Sequence, residues 1–410
     1  MANMRLTHLV CTRIIVVLLI CTVRSHGSTK PRILVVGGSG RVGGSAVCSL
    51  IRSNRCSIVD VGGRELRNWE AYKRGRADDV LTSVKFQPLN LFDDEACGRL
   101  IPSYDLVINT AGPFQGLDTP ALMESCLRRG VAYVDVCDDI SLSRTARGQQ
   151  YQQLAQTHCT SAVISAGIWP GVSSLLAEEL LANVGDEAAS CRFSFFTAGS
   201  GGAGETILTA TFLLLGENVL TYEQGRQKFY KTATDGITVD FGPGVGLRDV
   251  VRLNLIECES CFVANAARLP DLSVETRFGT APAFWNRLFA LMALVMPQPL
   301  LQNRAAMKTL AAVSLPMVRL VDMFVGKTNG IHVEVTRRDG SMVSSLLTHA
   351  DLESEVGECL ADFGMALLEG RGSFAHHGVF FPEEIPSPEY KARILEASKR
   401  RSMTFVSTEM

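Results

Sequence analysis

Neither sign of charge dominates this 410-residue sequence: 40 Lys and Arg stand against 42 Asp and Glu, a net charge of −2. A chain so balanced has no basic field for nucleic acid. Cysteine is sparse, 12 residues in all, so no disulfide framework has to hold the fold. A lone Cys258-Glu-Ser-Cys261 has no second pair at zinc spacing and reads as structural. His158, His332 and His376-His377 are scattered without metal spacing, so no metal site is expected. Internal repeats and low-complexity tracts are absent. No apolar run reaches the roughly 20 residues of a membrane span.

Acids are missing before Asp60, while Arg5 and Arg13 precede the apolar run Ile14–Val23. That run is too short to span a bilayer but suits the apolar region of a targeting signal, with Val23 and Ser25 at the −3 and −1 positions. We therefore expect residues 1–27 to direct the chain into the secretory pathway or an organelle, a plastid among them. A buried strand is the alternative.

The remainder has an ordinary globular composition, 46 % hydrophobic and 20 % charged, at a length suited to two or three domains. From Pro31, β-rich runs alternate with helical stretches. Candidate strands are Ile33–Val36, Ser57–Val61, Val84–Leu89, Leu106–Asn109, Val131–Val136 and Ala162–Ala166. Candidate helices lie near 42–53, 65–78, 93–101, 119–129 and 142–158. This rhythm predicts an α/β fold, a Rossmann doubly wound parallel sheet over 31–170. Beyond Gly171 the rhythm breaks into strand-like pieces at 191–198, 237–241, 249–255, 273–278, 331–337 and 342–348. A second α+β domain with a mostly antiparallel sheet is expected over 171–350, for substrate and dimerisation, and a C-terminal helical segment over 351–410. Helices 284–296 and 303–325 are apolar but interrupted by charge. They read as core or homodimer helices, with peripheral membrane contact as the alternative.

Gly38-Ser39-Gly40-Arg41-Val42-Gly43 follows a strand and opens a helix, the context a dinucleotide fingerprint requires. Gly38 permits the tight turn, Gly40 lets pyrophosphate approach the backbone, and Gly43 lets helix and strand pack closely. The helix start then offers N–H groups and a positive dipole end. Where NAD-binding chains place an acid on the second strand, this one has Gly63 and Arg64. A guanidinium there suits a 2′-phosphate, so NADP is the expected cofactor. Asn90 closes the third strand within reach of the adenine. Ala111, Gly112, Pro113 and Phe114 follow the fourth, where Pro113 and Phe114 either wall the nicotinamide or belong to a plain Gly-Pro loop.

Together with Gly62-Gly-Arg64, Val107–Gln115, Gly130–Val136, Cys137-Asp-Asp139 and Ser165–Ser173, these residues resemble the saccharopine dehydrogenase-like family of NADP-binding oxidoreductases. Thr197–Gly204, Arg277–Pro282 and Gly378–Glu384 are similar to its less characterised, organelle-type members. The resemblance implies a Rossmann domain, an α+β domain for substrate and dimerisation, and a C-terminal return to the first domain. Trp169 stands where enzymes handling saccharopine carry an acid. An indole cannot receive an amino group as a carboxylate does, which argues against saccharopine itself.

For proton transfer the candidates are Asp135, Asp138 and Asp139, with Asp138 preferred; N-capping of the next helix suits Asp138 or Asp139 equally well. Gly199–Gly204 is either a second anion cradle or a tight packing turn. The chain reads as an NADP-dependent oxidoreductase acting on a small amino-acid-like carbonyl or imine substrate. A non-catalytic NADP(H) sensor and a lipid-associated structural protein are the alternatives. No Tyr-x-x-x-Lys occurs, which argues against an active short-chain dehydrogenase.

Overall fold

In the computed structural model, residues 30–76, 79–199, 204–370 and 376–409 are described. The expected targeting segment 1–27 and the middle of Gly199–Gly204 lie outside them.

The first layer is built from β1 (Arg32–Val36), β2 (Ile58–Gly63), β3 (Phe86–Pro88), β4 (Leu106–Asn109), β5 (Ala132–Asp135) and β6 (Ala162–Val163). All pair in parallel, in the order β6-β5-β4-β1-β2-β3. Continuous apolar runs such as Ile33–Val36 are buried because helices cover both faces. Arg41–Arg52 and Leu352–Glu369 form one such covering pair. A Cβ on Gly357 would lie 2.5 Å from the Val42 carbonyl oxygen and 2.6 Å from Ser45 Cβ, so this crossing requires glycine. Helix Leu352–Glu369 starts at Asp351, whose side chain accepts the Ser354 N–H at 2.9 Å.

The stretch expected as one helix over 142–158 is two, Ile140–Ala146 and Gln149–Thr157. Gly148, extended at ψ 149, ends the first and begins the second.

The second layer runs from β7 (Ala188–Ala198) through β8 (Asn218–Glu223), β9 (Arg226–Lys231), β10 (Ile237–Asp240), β11 (Leu247–Arg252), β12 (Ser273–Ala281) and β13 (Asn329–Arg337) to β14 (Met342–His349). β7 and β12 pair in parallel, and every other pairing is antiparallel. The last segment serves both layers. β15 (Val379–Phe380) adds a seventh parallel strand beside β6, and β16 (Thr404–Glu409) pairs with β14 to complete nine strands.

One buried cluster runs from Ile33 and Val107 through Leu176 to Phe193 and Val333, so the two sheets share a core. A bidentate pair, Arg144 to Glu259 at 2.6 and 2.7 Å, ties helix Ile140–Ala146 to helix Ile256–Asn265. A separate apolar cluster gathers Leu208, Phe212, Trp285, Met307 and Val318 from three further helices. No described helix is long and apolar enough to cross a membrane.

Gly357→Val should destabilise the protein by about 1–3 kcal/mol, because the clash is with backbone that cannot rotate away. Urea unfolding of variant and parent measures it, and equal midpoints would contradict the packing.

Candidate functional site

The glycine turn leaves β1 at Val36. Gly37, at φ +84, accepts the Gly40 N–H at 2.8 Å, closing the turn. A Cβ on Gly37 or Gly43 would lie 2.7 or 2.5 Å from Thr110 Oγ1, so both rest directly on the residue after β4. Gly38 packs just as tightly on Val61, at 2.7 Å from Cγ2. Gly40 is different: its Cβ position meets only the Gly37 carbonyl oxygen, at 3.2 Å. Helix Arg41–Arg52 has no side-chain cap at Gly40 and no acid in its first turn. Its positive end is thus unopposed, a cradle that fits a pyrophosphate.

Around this cradle the expected cofactor residues have different environments. Arg64 follows β2, exposed and without an ion-pair partner among the described residues. Gly63 lies beside Ser39, whose Oγ is 4.0 Å from its Cβ position. Asp60, the nearest acid on that strand, is buried, accepting Tyr104 Oη at 2.7 Å and Gln87 Nε2 at 3.1 Å. Arg41 presents its main chain to the turn while its side chain pairs with the buried Glu353. Val42 lies in the first helical turn with its carbonyl oxygen against Gly357. Asn90 is exposed after β3 and accepts the Phe92 N–H at 3.3 Å, so part of its amide serves its own turn.

After β4, Ala111 donates its N–H to Asn109 Oδ1 at 3.1 Å, and Gly112 reaches Thr206 of helix Glu205–Leu214. Arg304 clamps the next turn, donating to the carbonyl oxygens of Pro113 at 2.8 Å and Gln115 at 2.9 Å. Phe114 is buried, packed with Cys137 and Leu142 in a small apolar cluster.

The three candidate acids separate clearly. Asp135 is structural, accepting the Cys137 N–H at 3.0 Å, the Ser165 N–H at 2.9 Å and Tyr133 Oη at 2.9 Å. Asp139 caps helix Ile140–Ala146 by accepting the Leu142 N–H at 2.6 Å. Asp138 is half-buried and accepts Gln115 Nε2 at 2.8 Å. Burial pushes its carboxyl up to about 6.

Asp138 lies in the wall of a cavity of about 450 Å³. Trp169 and Pro170 after β6, Thr197, Phe278 and Thr280 of the second sheet, and three apolar helices complete much of that wall. Trp169 stacks on Phe195 with ring centres 5.0 Å apart. Glu257 also lines the cavity, accepts Ser173 Oγ at 3.0 Å, and is raised to about 7 by burial. Among the described residues, no lysine, arginine or histidine lines it. The cavity therefore offers no cation to an amino-acid-like substrate's carboxylate.

Gln115, Glu257 and Arg304 join the site through partners distant in sequence, Asp138, Ser173 and Pro113, which local pattern does not show.

A Rossmann layer with an open glycine cradle, joined to a mixed sheet that encloses a cavity at the strand ends, defines a dinucleotide-binding two-layer protein. Residues 33–166 match the saccharopine dehydrogenase NADP binding domain family. Its structure is similar to that of apo saccharopine dehydrogenase (L-Glu forming) from Saccharomyces cerevisiae. That comparison has a TM-score of 0.63 and 14% sequence identity, covering 92% of this chain and 100% of the yeast chain. A meso-dapdh mutant with DAP from Clostridium tetani E88 is more distant, at TM-score 0.42 and 12% identity over 89% of this chain and 99% of that one. No curated protein sequence matches the chain significantly.

Glu383 tests the electrostatics of this interior. It is buried, and burial raises it from near 4.5 to about 7. A carboxyl raised on folding favours the folded state's protonated form. Its penalty is absent below about 4.5 and complete above about 7. Stability should therefore fall between pH 5 and 8, with Glu383→Gln recovering on the order of 2 kcal/mol at the upper end. Urea unfolding at both pH values reads this, and an unchanged pH dependence in the variant would contradict it.

Proposed function

We propose that the protein is an NADP-dependent oxidoreductase that transfers hydride to or from a carbonyl or imine carbon, with Asp138 moving the accompanying proton. The observation that carries this reading is the position of Asp138. It follows β5, at the same strand-end edge as the glycine cradle, and forms part of the cavity wall. The matched NADP binding domain supports the cofactor class, and the exposed Arg64, which follows Gly63 at the end of β2, favours the 2′-phosphorylated form.

NADPH, when bound, supplies the hydride. Gly38, Ser39, Gly40, Arg41, Val42 and Gly43 would hold its pyrophosphate through the turn and helix end. Arg64 would hold the 2′-phosphate, Asn90 the adenine side, and Ala111, Gly112 and Pro113 the nicotinamide side. Gln115 orients Asp138 by donating to Oδ1, and Arg304 fixes the carbonyls on both sides of the turn leading to Gln115. Protonated Asp138 gives its proton to the developing alkoxide or amide anion. In the reverse direction its carboxylate receives that proton.

A carboxyl near 6 gives the two directions opposite pH dependence. NADPH-driven reduction should decline as pH rises through about 6, while oxidation should rise over the same interval. Asp138→Asn should lower turnover roughly 100-fold and flatten both profiles, with NADPH affinity kept. NADPH oxidation across a panel of aldehydes, ketones, imines and 2-oxo acids provides the assay. Turnover that survives Asp138→Asn with its pH profile intact would remove Asp138 from the proton path.

A further inference from the structure

The polar inventory of the cavity wall narrows what it can hold. Its hydroxyls are committed to main chain: Thr211 donates to Ile207 at 2.9 Å, Ser314 to Ala311 at 3.2 Å, and Thr280 to Gly199 at 2.8 Å. Thr197 also donates to the Gly199 carbonyl, at 3.2 Å, and Glu257 is engaged by Ser173. Three groups keep capacity toward a carbonyl oxygen: Asp138 and Glu257, each with a carboxyl oxygen beyond the one that receives a side-chain donor, and Trp169, whose buried indole N–H has no hydrogen-bond partner among the described residues. The hydroxyls, their protons already given, remain only as acceptors. A polyol would set several hydroxyls against a wall that is mostly aliphatic and aromatic, losing water with few replacement hydrogen bonds.

Charge excludes a second class. Among the described residues two carboxyls and no cation face the cavity, so a 2-oxo acid or amino acid would bring its own carboxylate into an acidic, water-poor space. The remaining surface is aliphatic and aromatic, contributed by residues such as Leu208, Phe212, Leu288, Phe289, Met292 and Val318.

The apolar character continues outward. Helices Phe284–Val295 and Arg304–Val325 line the cavity with one side, and Met317 both lines it and is half-exposed. On their outer side Leu294, Val313 and Phe324 are 76 %, 74 % and 83 % exposed. Isolated apolar residues on a surface need no explanation, but several on the two helices that wall an apolar cavity extend its apolar surface to the solvent side.

We propose that this cavity binds an uncharged, lipophilic carbonyl compound, a long-chain or alicyclic ketone or aldehyde, with its carbonyl at the Asp138 end. The proposal rests on the oxidoreductase reading for the fate of the carbonyl, and on the cavity alone for its binding. It replaces the small amino-acid-like substrate expected from the sequence.

Displacement of Nile red, an uncharged fluorescent lipophile, from the full chain separates these possibilities without requiring turnover. 2-Dodecanone should displace the dye at least about 100-fold more effectively than 2-oxoglutarate. Ala210→Trp and Ser314→Trp fill the cavity from two different helices, and each should abolish that displacement. NADPH titration, followed by nucleotide fluorescence, verifies that each variant is folded and is expected to be unchanged. Comparable displacement by 2-oxoglutarate overturns the proposal, as does ketone displacement that persists in both filled variants. Ketone binding to a chain that binds no NADPH defeats the oxidoreductase reading instead, and with it the substrate role, through a different readout.

Discussion

The contact between the glycine turn and Thr110 is the constraint on which the candidate site depends. Gly37 and Gly43 approach Thr110 so closely that neither position tolerates a Cβ, and the Thr110 hydroxyl donates to the Val36 carbonyl at 2.9 Å. The ends of β1 and β4 are thereby held together. The open helix end lies on one side of this contact. On the other, the chain runs through Ala111–Phe114 to Gln115, which reaches Asp138 after β5. Cradle and acid are thus positioned by backbone and buried hydrogen bonds rather than by long surface side chains. A geometry built this way changes little as the solvent changes.

The two layers supply different physics. Parallel strand ends and a helix dipole suit an anionic cofactor, whereas the cavity beyond them is apolar and acidic. Trp169 marks the junction. It follows β6 of the first sheet and stacks on Phe195 of the second. An indole there cannot receive an amino substituent as a carboxylate would, and it adds apolar surface. The helices Phe284–Val295 and Arg304–Val325 extend that surface outward, and their apolar clusters form the wall rather than a membrane span.

How much could be read beforehand follows from where each signal resides. β1 and β4 were legible because continuous apolar runs report burial on both faces, and the glycine fingerprint is contiguous. The hairpin β8–β9 was missed because Arg226–Lys231 is largely exposed and shows no clean alternation. β15 was missed because two residues are too few for a period, although the expected C-terminal return had that segment rejoining the first domain. Helix Ile256–Asn265 was hidden by its acids: Glu257 and Glu259 are buried through Ser173 and Arg144, partners that local pattern cannot reveal. In the site, Asp138 was visible as an acid at a strand end. Its distinction from Asp135 and Asp139 depends on which N–H groups each accepts, and that is a tertiary property.

The cofactor assignment is tested most directly by titrating the chain and its Arg64→Ala variant with NADPH and NADH, following nucleotide fluorescence. The account expects NADPH to bind at least about tenfold more tightly than NADH, and Arg64→Ala to erase that difference, a change of about 1.4 kcal/mol. Failure of both nucleotides to bind would contradict it, and so would a preference for NADPH that Arg64→Ala leaves intact.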